Sequence, residues 1–215
     1  MIFRLILATA AGALAVITYA PTLLAQYVVK GDAAKGQEVA GKVCTACHGP
    51  DGNSPLSVNP SIAGQHPEYI VKQLGNFKAK DGKPAERGSA IMAGIVASLS
   101  DEDMKNAAAH YSSQTPRPRA ARDAELVKQG QLIFRGGIAV KSVAACSSCH
   151  SPNGAGLPAQ FPRVAGQHAE YTAAQLKAFR TGERKNDANS MMRMVAGKLS
   201  DREIAAVSEY IAGLR

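Results

Sequence analysis

The sequence contains no tryptophan, and aromatic residues make up only 5% of its 215 residues. Cores without large side chains are weak, so a domain of under about 100 residues is marginal by itself. The basic residues are not interleaved with aromatics and no nucleic-acid-binding module is recognisable, which argues against a nucleic-acid partner. No alternating apolar run is long enough to predict a β-strand. We therefore expect helices and an additional source of apolar bulk.

Cysteine is also scarce, because the chain has four and all four lie in two copies of one motif. Residues 44–48 read Cys-Thr-Ala-Cys-His and residues 146–150 read Cys-Ser-Ser-Cys-His. This spacing is typical of covalent c-type haem attachment, in which two thiols add to the porphyrin vinyl groups and the adjacent imidazole binds iron. We predict two covalently bound haem c groups, anchored by Cys44, Cys47, Cys146 and Cys149, with His48 and His150 as iron ligands. Two porphyrins would supply the missing apolar bulk.

Three other chemistries use paired cysteines. Four cysteines in an exported protein can form two disulfides, two Cys-x-x-Cys pairs can hold zinc, and either pair can be a thiol redox motif. Zinc and disulfide chemistry do not require a histidine directly after the second cysteine in both copies. No spare cysteine remains beyond the two pairs. We therefore favour haem and keep these three as alternatives.

The N-terminal residues 1–25 are predicted to be an export signal. Arg4 provides the charged start, and an apolar run follows from Leu5 to Ala20. We expect cleavage after Ala25, which leaves a soluble periplasmic protein. The alternative is an uncleaved membrane anchor, since this segment is close to the roughly 20 residues that a membrane helix needs. Both alternatives place the working domains outside the cytoplasmic membrane.

The two halves of the chain repeat one another. Aligned on the two motif histidines, they share a Pro-x-x-Ala-Gly-Gln-His segment and a later Leu-Ser-Asp segment. These segments are residues 60–66 and 162–168, and residues 99–101 and 199–201. Such repetition indicates duplication of one haem domain. We predict a first domain at residues 30–112, a linker at 113–122 and a second domain at 123–215.

The linker and the helices can also be predicted. Residues 113–122 carry proline at alternate positions and three arginines, which indicates a short, stiff connector that holds the domains side by side. Apolar periodicity predicts an all-α fold with three main helices in each half. These are residues 33–39, 68–77 and a helix starting at Ser100, then residues 125–134, 170–179 and a helix starting at Ser200. Glu203 follows Ser200 at the spacing of a capping box.

The sixth iron ligand separates electron carriers from enzymes, because an open iron face can bind a substrate. Met92 and Met192 each lie seven residues before the leucine of the Leu-Ser-Asp segment. A thioether ligand favours ferrous iron and closes the site, so we predict these two as axial ligands. The alternatives are that both pack in the core, or that Met191 or Met194 replaces Met192.

Three further pairs of residues recur at equivalent positions. His66 and His168 could make bis-imidazole sites, although hydrogen bonding at the haem edge or at the domain interface is favoured. A carbonyl in the loop that contains Pro60 or Pro162 could accept the second ring N–H of the axial histidine and fix its tautomer, and the alternative is that each is an ordinary turn proline. Tyr69 and Tyr171, with basic residues in 72–80 and 177–185, could contact haem propionates, although most such charge is usually solvated.

With these motifs in place, the chain resembles dihaem cytochrome c4. The resemblance rests on both Cys-x-x-Cys-His motifs, the paired Ala-Gly-Gln-His segments, and the methionines before Leu-Ser-Asp. It implies two mostly helical cytochrome c-like domains related by approximate twofold symmetry, each with a His/Met haem. It also implies transfer of single electrons between membrane complexes, often toward a terminal oxidase, with no substrate transformed.

We therefore expect a non-enzymatic respiratory electron carrier that uses protein redox partners. A quinol-oxidising complex would be the donor and a terminal oxidase the acceptor. The formal net charge of +8 lies mainly in the linker and the second half, and a basic surface can steer docking to an acidic partner. The alternatives are the cytochrome subunit of a larger oxidoreductase, or a dihaem enzyme such as a peroxidase or a thiosulfate-oxidising cytochrome.

Overall fold

The structure is a computed structural model that describes residues 29–215, so the predicted export signal at residues 1–25 lies outside the described residues. The first half contains α1 (Ala33–Val43), α2 (Thr45–His48), α3 (Pro67–Phe77), α4 (Ala90–Ala97) and α5 (Asp101–Ser112). The second half contains α6 (Ala124–Gly136), α7 (Ser147–His150), α8 (Ala169–Thr181), α9 (Met191–Ala196) and α10 (Asp201–Gly213), with 3-10 turns at Ala139–Lys141 and Ala188–Ser190. Within the described range, β-structure is limited to isolated bridges. This confirms the all-α prediction.

Side-chain caps start four of the six main helices, and one of these caps, at Ser200, was predicted. Asp32 accepts hydrogen bonds from the first backbone N–H groups of α1, and Asp123 does the same for α6. Ser200 and Glu203 form the predicted capping box of α10. Asp103 has the corresponding role with Ser100 in α5. None of the helices from residue 29 onward is long and apolar enough to cross a membrane.

Apart from the four-residue helices α2 and α7 inside the haem motifs, two helices were not predicted, α4 and α9. The sequence of α4 is Ala-Ile-Met-Ala-Gly-Ile-Val-Ala, so it is apolar on all sides and gives no helical periodicity. The second, α9, has only six residues, which is too short for a periodic signal. These two helices carry the predicted methionine ligands.

A close helix crossing organises each half. In the first, α1 crosses α5 at Gly36, where an added Cβ would lie 2.0 Å from the carbonyl oxygen of Asn106. In the second, α6 crosses α10 at Gly130, where an added Cβ would lie 2.0 Å from the carbonyl oxygen of Ala206. Only glycine permits this approach. The haem motif follows α1 directly in the first half, whereas a short segment with a 3-10 turn separates it from α6 in the second.

The linker is fixed to both halves. In the first half, the Arg117 backbone N–H donates to Asn53 Oδ1 at 2.7 Å, and the Arg119 guanidinium donates to the Ser54 carbonyl at 2.9 Å. In the second, the Arg122 N–H donates to Glu209 Oε2 at 2.9 Å. The connector is therefore short and restrained, and the two halves pack side by side as predicted.

The structure gives His110 an internal position. It lies in the last turn of α5 but is buried, and its Cβ faces Gly36 in the crossing with α1. Its Nε2 lies 3.4 Å from the Pro50 carbonyl. Sequence position alone could not reveal this burial, because it results from the helix crossing.

Candidate haem sites

The histidines of the two haem motifs are held in the same way. Nδ1 of His48 donates to the Pro60 carbonyl at 2.9 Å, and Nδ1 of His150 donates to the Pro162 carbonyl at 2.9 Å. A carbonyl oxygen can only accept, so the proton must be on Nδ1 and the Nε2 lone pair is left for a metal. The sequence suggested a carbonyl of this loop as the acceptor, and the structure identifies it as that of the proline itself in both halves.

Burial keeps these imidazoles in the form that binds iron. It lowers the pKa of His48 and of His150, and the carbonyl hydrogen bond offsets only part of that shift. Both rings are therefore neutral at neutral pH. Neutral, pre-oriented imidazoles fit the axial role in a haem site.

The cysteines fit thioether formation better than the alternatives. All four are free and half-buried, so no disulfide joins them. Burial raises the pKa of Cys44, and it raises the pKa of Cys146 to about 11. Thiol redox motifs require a lowered pKa, because the thiolate is the nucleophile. In residues 29–215, no cluster of three or more His, Cys, Asp and Glu side chains could hold a metal ion without further ligands.

The repeated methionines lie on equivalent helices. Met92 is in the first turn of α4, where the Ser89 hydroxyl caps its backbone N–H at 3.2 Å. Met192 is in the first turn of α9. Both side chains are half-buried, whereas Met194 is 58% exposed. Met191 is also half-buried, so burial disfavours Met194 but leaves Met191 as an alternative to Met192. Met104, which has no methionine at the equivalent position of the second half, is buried in the core.

His66 and His168 lie at the contact between the two halves. His66 Nε2 is 3.0 Å from the Ala155 carbonyl, and His168 Nε2 is 3.0 Å from the Ser54 carbonyl. Each bond crosses from one half to the other. This arrangement supports the predicted role at the domain interface and not the bis-imidazole alternative, because Nε2 of each ring already makes a hydrogen bond to a backbone carbonyl.

The neighbouring glutamines bridge the halves reciprocally. Gln65 donates to the Arg163 carbonyl at 2.8 Å and accepts from the Arg163 N–H at 2.9 Å. Gln167 makes the same two contacts with Ser61, both at 2.9 Å. Each side-chain amide thus donates one hydrogen bond to the backbone of a residue in the other half and accepts one from it, as paired residues of a β-ladder do. The approximate twofold symmetry is therefore visible at the level of single hydrogen bonds.

Two buried arginines occupy another part of this interface. The Arg87 guanidinium donates to Gln73 of its own half and to Tyr171 and Gln175 of the other. Arg184 donates to Gln175 of its own half and to Tyr69 and Gln73 of the other. Their guanidinium carbons lie 4.6 and 4.4 Å from the ring centres of Phe77 and Phe179, respectively. Each arginine is only 8% exposed.

The role of Arg87 was not foreseen, and Arg184 was included only as part of a basic segment. The two are not equivalent in the alignment, since Arg87 follows Phe77 by ten residues and Arg184 follows Phe179 by five. The repeated Gln-His pair, in contrast, was visible in the sequence. Attention to its glutamine would have identified Gln65 and Gln167.

A Cys-x-x-Cys-His turn whose imidazole is oriented by a proline carbonyl, within a small helical domain, is the defining feature of a c-type cytochrome. This chain has two such domains. The sequence model of the family described as cytochrome c matches residues 33–114 and again residues 128–215. The chain therefore carries two covalently bound haem c groups and is an electron-transfer cytochrome.

Individual relatives show which family of c-type cytochromes the chain resembles. Cytochrome c4 of Azotobacter vinelandii is 48% identical over 190 residues, covering 86% of this chain and 90% of the relative. The crystal structure of reduced recombinant cytochrome c4 from Pseudomonas stutzeri superposes with a TM-score of 0.81 at 45% identity, covering 86% of this chain and all of that one. A thiosulfate dehydrogenase electron acceptor of Stutzerimonas stutzeri is 36% identical, over 86% of this chain and 89% of the relative. The chain belongs to the cytochrome c4 family.

Proposed function

We propose that this protein carries single electrons between respiratory complexes in the periplasm, from a quinol-oxidising donor toward a terminal oxidase. The observation that carries the proposal is that both halves repeat the same oriented histidine and a methionine at an equivalent position. Each half has a carbonyl-oriented histidine and an equivalent, half-buried methionine. Iron closed on both faces exchanges electrons without binding a substrate.

The residues proposed to hold the haems follow from this arrangement. The thioether anchors are Cys44, Cys47, Cys146 and Cys149, and the axial ligands are His48 with Met92 and His150 with Met192. When bound, haem supplies an iron that cycles between ferrous and ferric, and a sulfur ligand favours the ferrous form. The chain's own contribution is to orient the imidazole, present the thioether and exclude water.

The interface favours a single rigid unit that contains both haems. Two nearly buried guanidinium groups, Arg87 and Arg184, contact only neutral oxygen acceptors in the part of the chain that the structure describes, with no carboxylate within ion-pair distance. Buried cations without counter-charge are strongly unfavourable. We propose that haem propionates supply that charge, with Tyr69 and Tyr171 as further donors.

The proposed domains keep the predicted boundaries, 30–112 and 123–215, joined by residues 113–122. The export signal at 1–25 would deliver the protein to the periplasm, where a cleaved product diffuses freely and an uncleaved one stays at the membrane. The basic second half would dock acidic surfaces of redox partners.

A second candidate is the dedicated cytochrome partner of a larger oxidoreductase. It is favoured by one observation, the 36% identical relative whose name is thiosulfate dehydrogenase electron acceptor. In that case the donor would be an oxidoreductase of small sulfur compounds and not a quinol-oxidising complex. A dihaem enzyme is the third candidate, and it requires an open iron site.

A visible spectrum of the dithionite-reduced holoprotein, before and after addition of carbon monoxide, tests the proposal. We expect two haems per chain and an unchanged spectrum, because both irons are closed. A carbon monoxide complex in the native protein would contradict the carrier assignment and favour an enzyme. Reduction rates with a quinol-oxidising complex, compared with those for a thiosulfate-oxidising enzyme, distinguish the two carrier roles.

A further inference from the structure

The last helices of the two halves differ at one position in the haem pockets. Tyr111 on α5 is 1% exposed and packs with Ala40, Ile70 and Ala108, and Cys44 packs against this cluster. Ile211 holds the equivalent position on α10, counted from the Leu-Ser-Asp segments, and packs in the cluster that Cys146 contacts. The first haem pocket therefore has a hydroxyl where the second has a methyl group.

This hydroxyl has no conventional partner. Among the described residues, the Tyr111 oxygen is buried and makes no hydrogen bond of standard geometry. Cys44 packs against the small cluster to which Tyr111 belongs, so its thiol is a polar group close to this hydroxyl. In agreement with this packing, burial raises the pKa of Tyr111 well above its usual range and the Cys44 thiol adds to that shift. A buried hydroxyl without a partner is unfavourable, so its presence requires an explanation.

Haem attachment changes the chemistry of this contact. A free thiol carries its own proton and can either donate or accept. A thioether has no proton and can only accept, so the Tyr111 hydroxyl becomes the only donor of the pair.

We propose that the Tyr111 hydroxyl donates a hydrogen bond to the Cys44 thioether sulfur in the holoprotein and thereby raises the reduction potential of the first haem alone. The inference rests on the proposed attachment of haem to Cys44. Tyr111 is a tuning residue, because it acts on the haem through the sulfur and not on the iron.

The direction of the effect follows from electrostatics. The positive end of the O–H dipole points toward the haem edge, which favours the ferrous state because it carries one more electron. Little water competes inside this buried pocket, so the dipole acts at low effective dielectric constant. Hydrogen bonding around a haem is one of the ways by which a protein sets its potential.

The substitution Tyr111→Phe tests the proposal in the holoprotein. Haem methyl resonances in NMR-monitored redox titrations follow the two haems separately. We expect the ferrous-to-ferric ratio of the first haem, at a fixed potential, to fall by about two- to fivefold, as for loss of one weak hydrogen bond. The second haem should not change.

A measurement on the unmodified protein gives an independent readout. Exchange from H₂O to D₂O replaces the O–H proton, so the resonance Raman bands of the thioether C–S bonds should shift in the native protein but not in the Tyr111→Phe variant. A merely structural tyrosine would give no such isotope shift. Should Tyr111→Phe fold poorly, the native spectrum alone still decides, since an absent shift overturns the proposal.

The matched control is Tyr210→Phe on α10. Tyr210 is 8% exposed, and its hydroxyl accepts a hydrogen bond from Arg135 Nε at 3.0 Å, so this hydroxyl already has a partner, unlike that of Tyr111. Its loss should leave both haem ratios unchanged. Peptide mass analysis shows whether Cys44 carries haem: if it does not, both this inference and the proposed attachment are wrong. If it does and Tyr111→Phe leaves the ratio unchanged or shifts both haems equally, only this inference is wrong.

Discussion

Phe134 fills the crossing of α6 and α10, where the first half has Ala40 at the equivalent place in α1. The second core combines this ring with Ile133, Val207 and Tyr210 and with several smaller residues. The first core has only one aromatic residue, Tyr111. The same backbone is thus packed with different volumes, while the histidine-to-carbonyl distance remains 2.9 Å in both halves.

The second half also has an extra segment before its haem motif. Ile138 and Val143 form an isolated antiparallel bridge, and Val143 is buried against Leu199 and Ile204. Lys141 pairs with Glu203 at 2.8 Å at the start of α10. This comparison teaches that duplication preserved the parts that hold the haem and left the supporting packing free to diverge. The two haems are consequently expected to differ in potential.

The largest contrast should come from the two methionines proposed as axial ligands. Met92→Ala and Met192→Ala should each open one iron, so carbon monoxide should bind one of the two haems and the potential of that haem should fall. Reduced spectra with carbon monoxide measure this. Met194→Ala is the control, because that exposed side chain should leave both sites closed. Carbon monoxide binding to Met191→Ala but not to Met192→Ala would show that the second ligand is assigned incorrectly.

The helix crossings should show the next largest effect. Gly36→Ala and Gly130→Ala each place a Cβ 2.0 Å from a carbonyl oxygen, so we expect each to lower the free energy of unfolding by about 3 kcal/mol. Thermal unfolding of the holoprotein checks this. Gly41→Ala in the same helix as Gly36 meets no atom within 4 Å and should stabilise by about 0.5–1 kcal/mol. Equal effects of Gly36→Ala and Gly41→Ala would contradict the described crossing.

The interface arginines allow a comparison across the twofold axis. Arg184→Met removes four hydrogen bonds and Arg87→Met removes three, so both substitutions leave buried oxygen atoms without a donor. We expect each to lower the free energy of unfolding by about 2–3 kcal/mol, with the larger loss for Arg184→Met. Faster proteolysis within residues 113–122 should accompany them as the halves separate. Arg202→Met removes an exposed hydrogen bond to Gln129 and should leave the linker protected. Unchanged linker cleavage in Arg184→Met would argue that the halves are held by other contacts.

The smallest effect should come from the helix caps. Ser100→Ala and Ser200→Ala should each lower stability by about 1 kcal/mol. The loss should be smaller at Ser200, because Glu203 is also held by Lys141. Chemical denaturation at neutral pH measures both losses, and a larger loss at Ser200 would contradict the additional support from Lys141.

The capping box at the start of α10 also predicts how the stability of the protein depends on pH. Hydrogen bonds from Lys141, then from the Ser200 N–H, lower the pKa of Glu203 from its ordinary value of 4.5. A carboxyl group with a lowered folded-state pKa stabilises the protein fully above the ordinary value and loses that stabilisation as pH falls through the folded-state pKa. Glu203→Gln should therefore reduce the decline in stability at acidic pH. Denaturation measured between about pH 3 and about pH 7 checks this.

The haem residues could be predicted because covalent attachment is a local requirement. Two cysteines and a histidine must lie within five consecutive residues to reach one porphyrin edge and its iron. The main helices were predictable for a similar reason, since caps and periodic apolar positions act over a few residues. The helices that carry Met92 and Met192 were missed because one is apolar on all sides and the other is very short.

The sequence by itself thus determined the two haem motifs, the repeat, the all-α class and the capping box at Ser200. Only the tertiary structure decided where the interface polar groups point, that Arg87 and Arg184 meet although the alignment does not pair them, and that Tyr111 faces Cys44. The physical reason is the separation along the chain between the residues that interact. Attachment chemistry and capping involve near neighbours in the chain, whereas these contacts depend on how two folded halves and crossing helices approach each other.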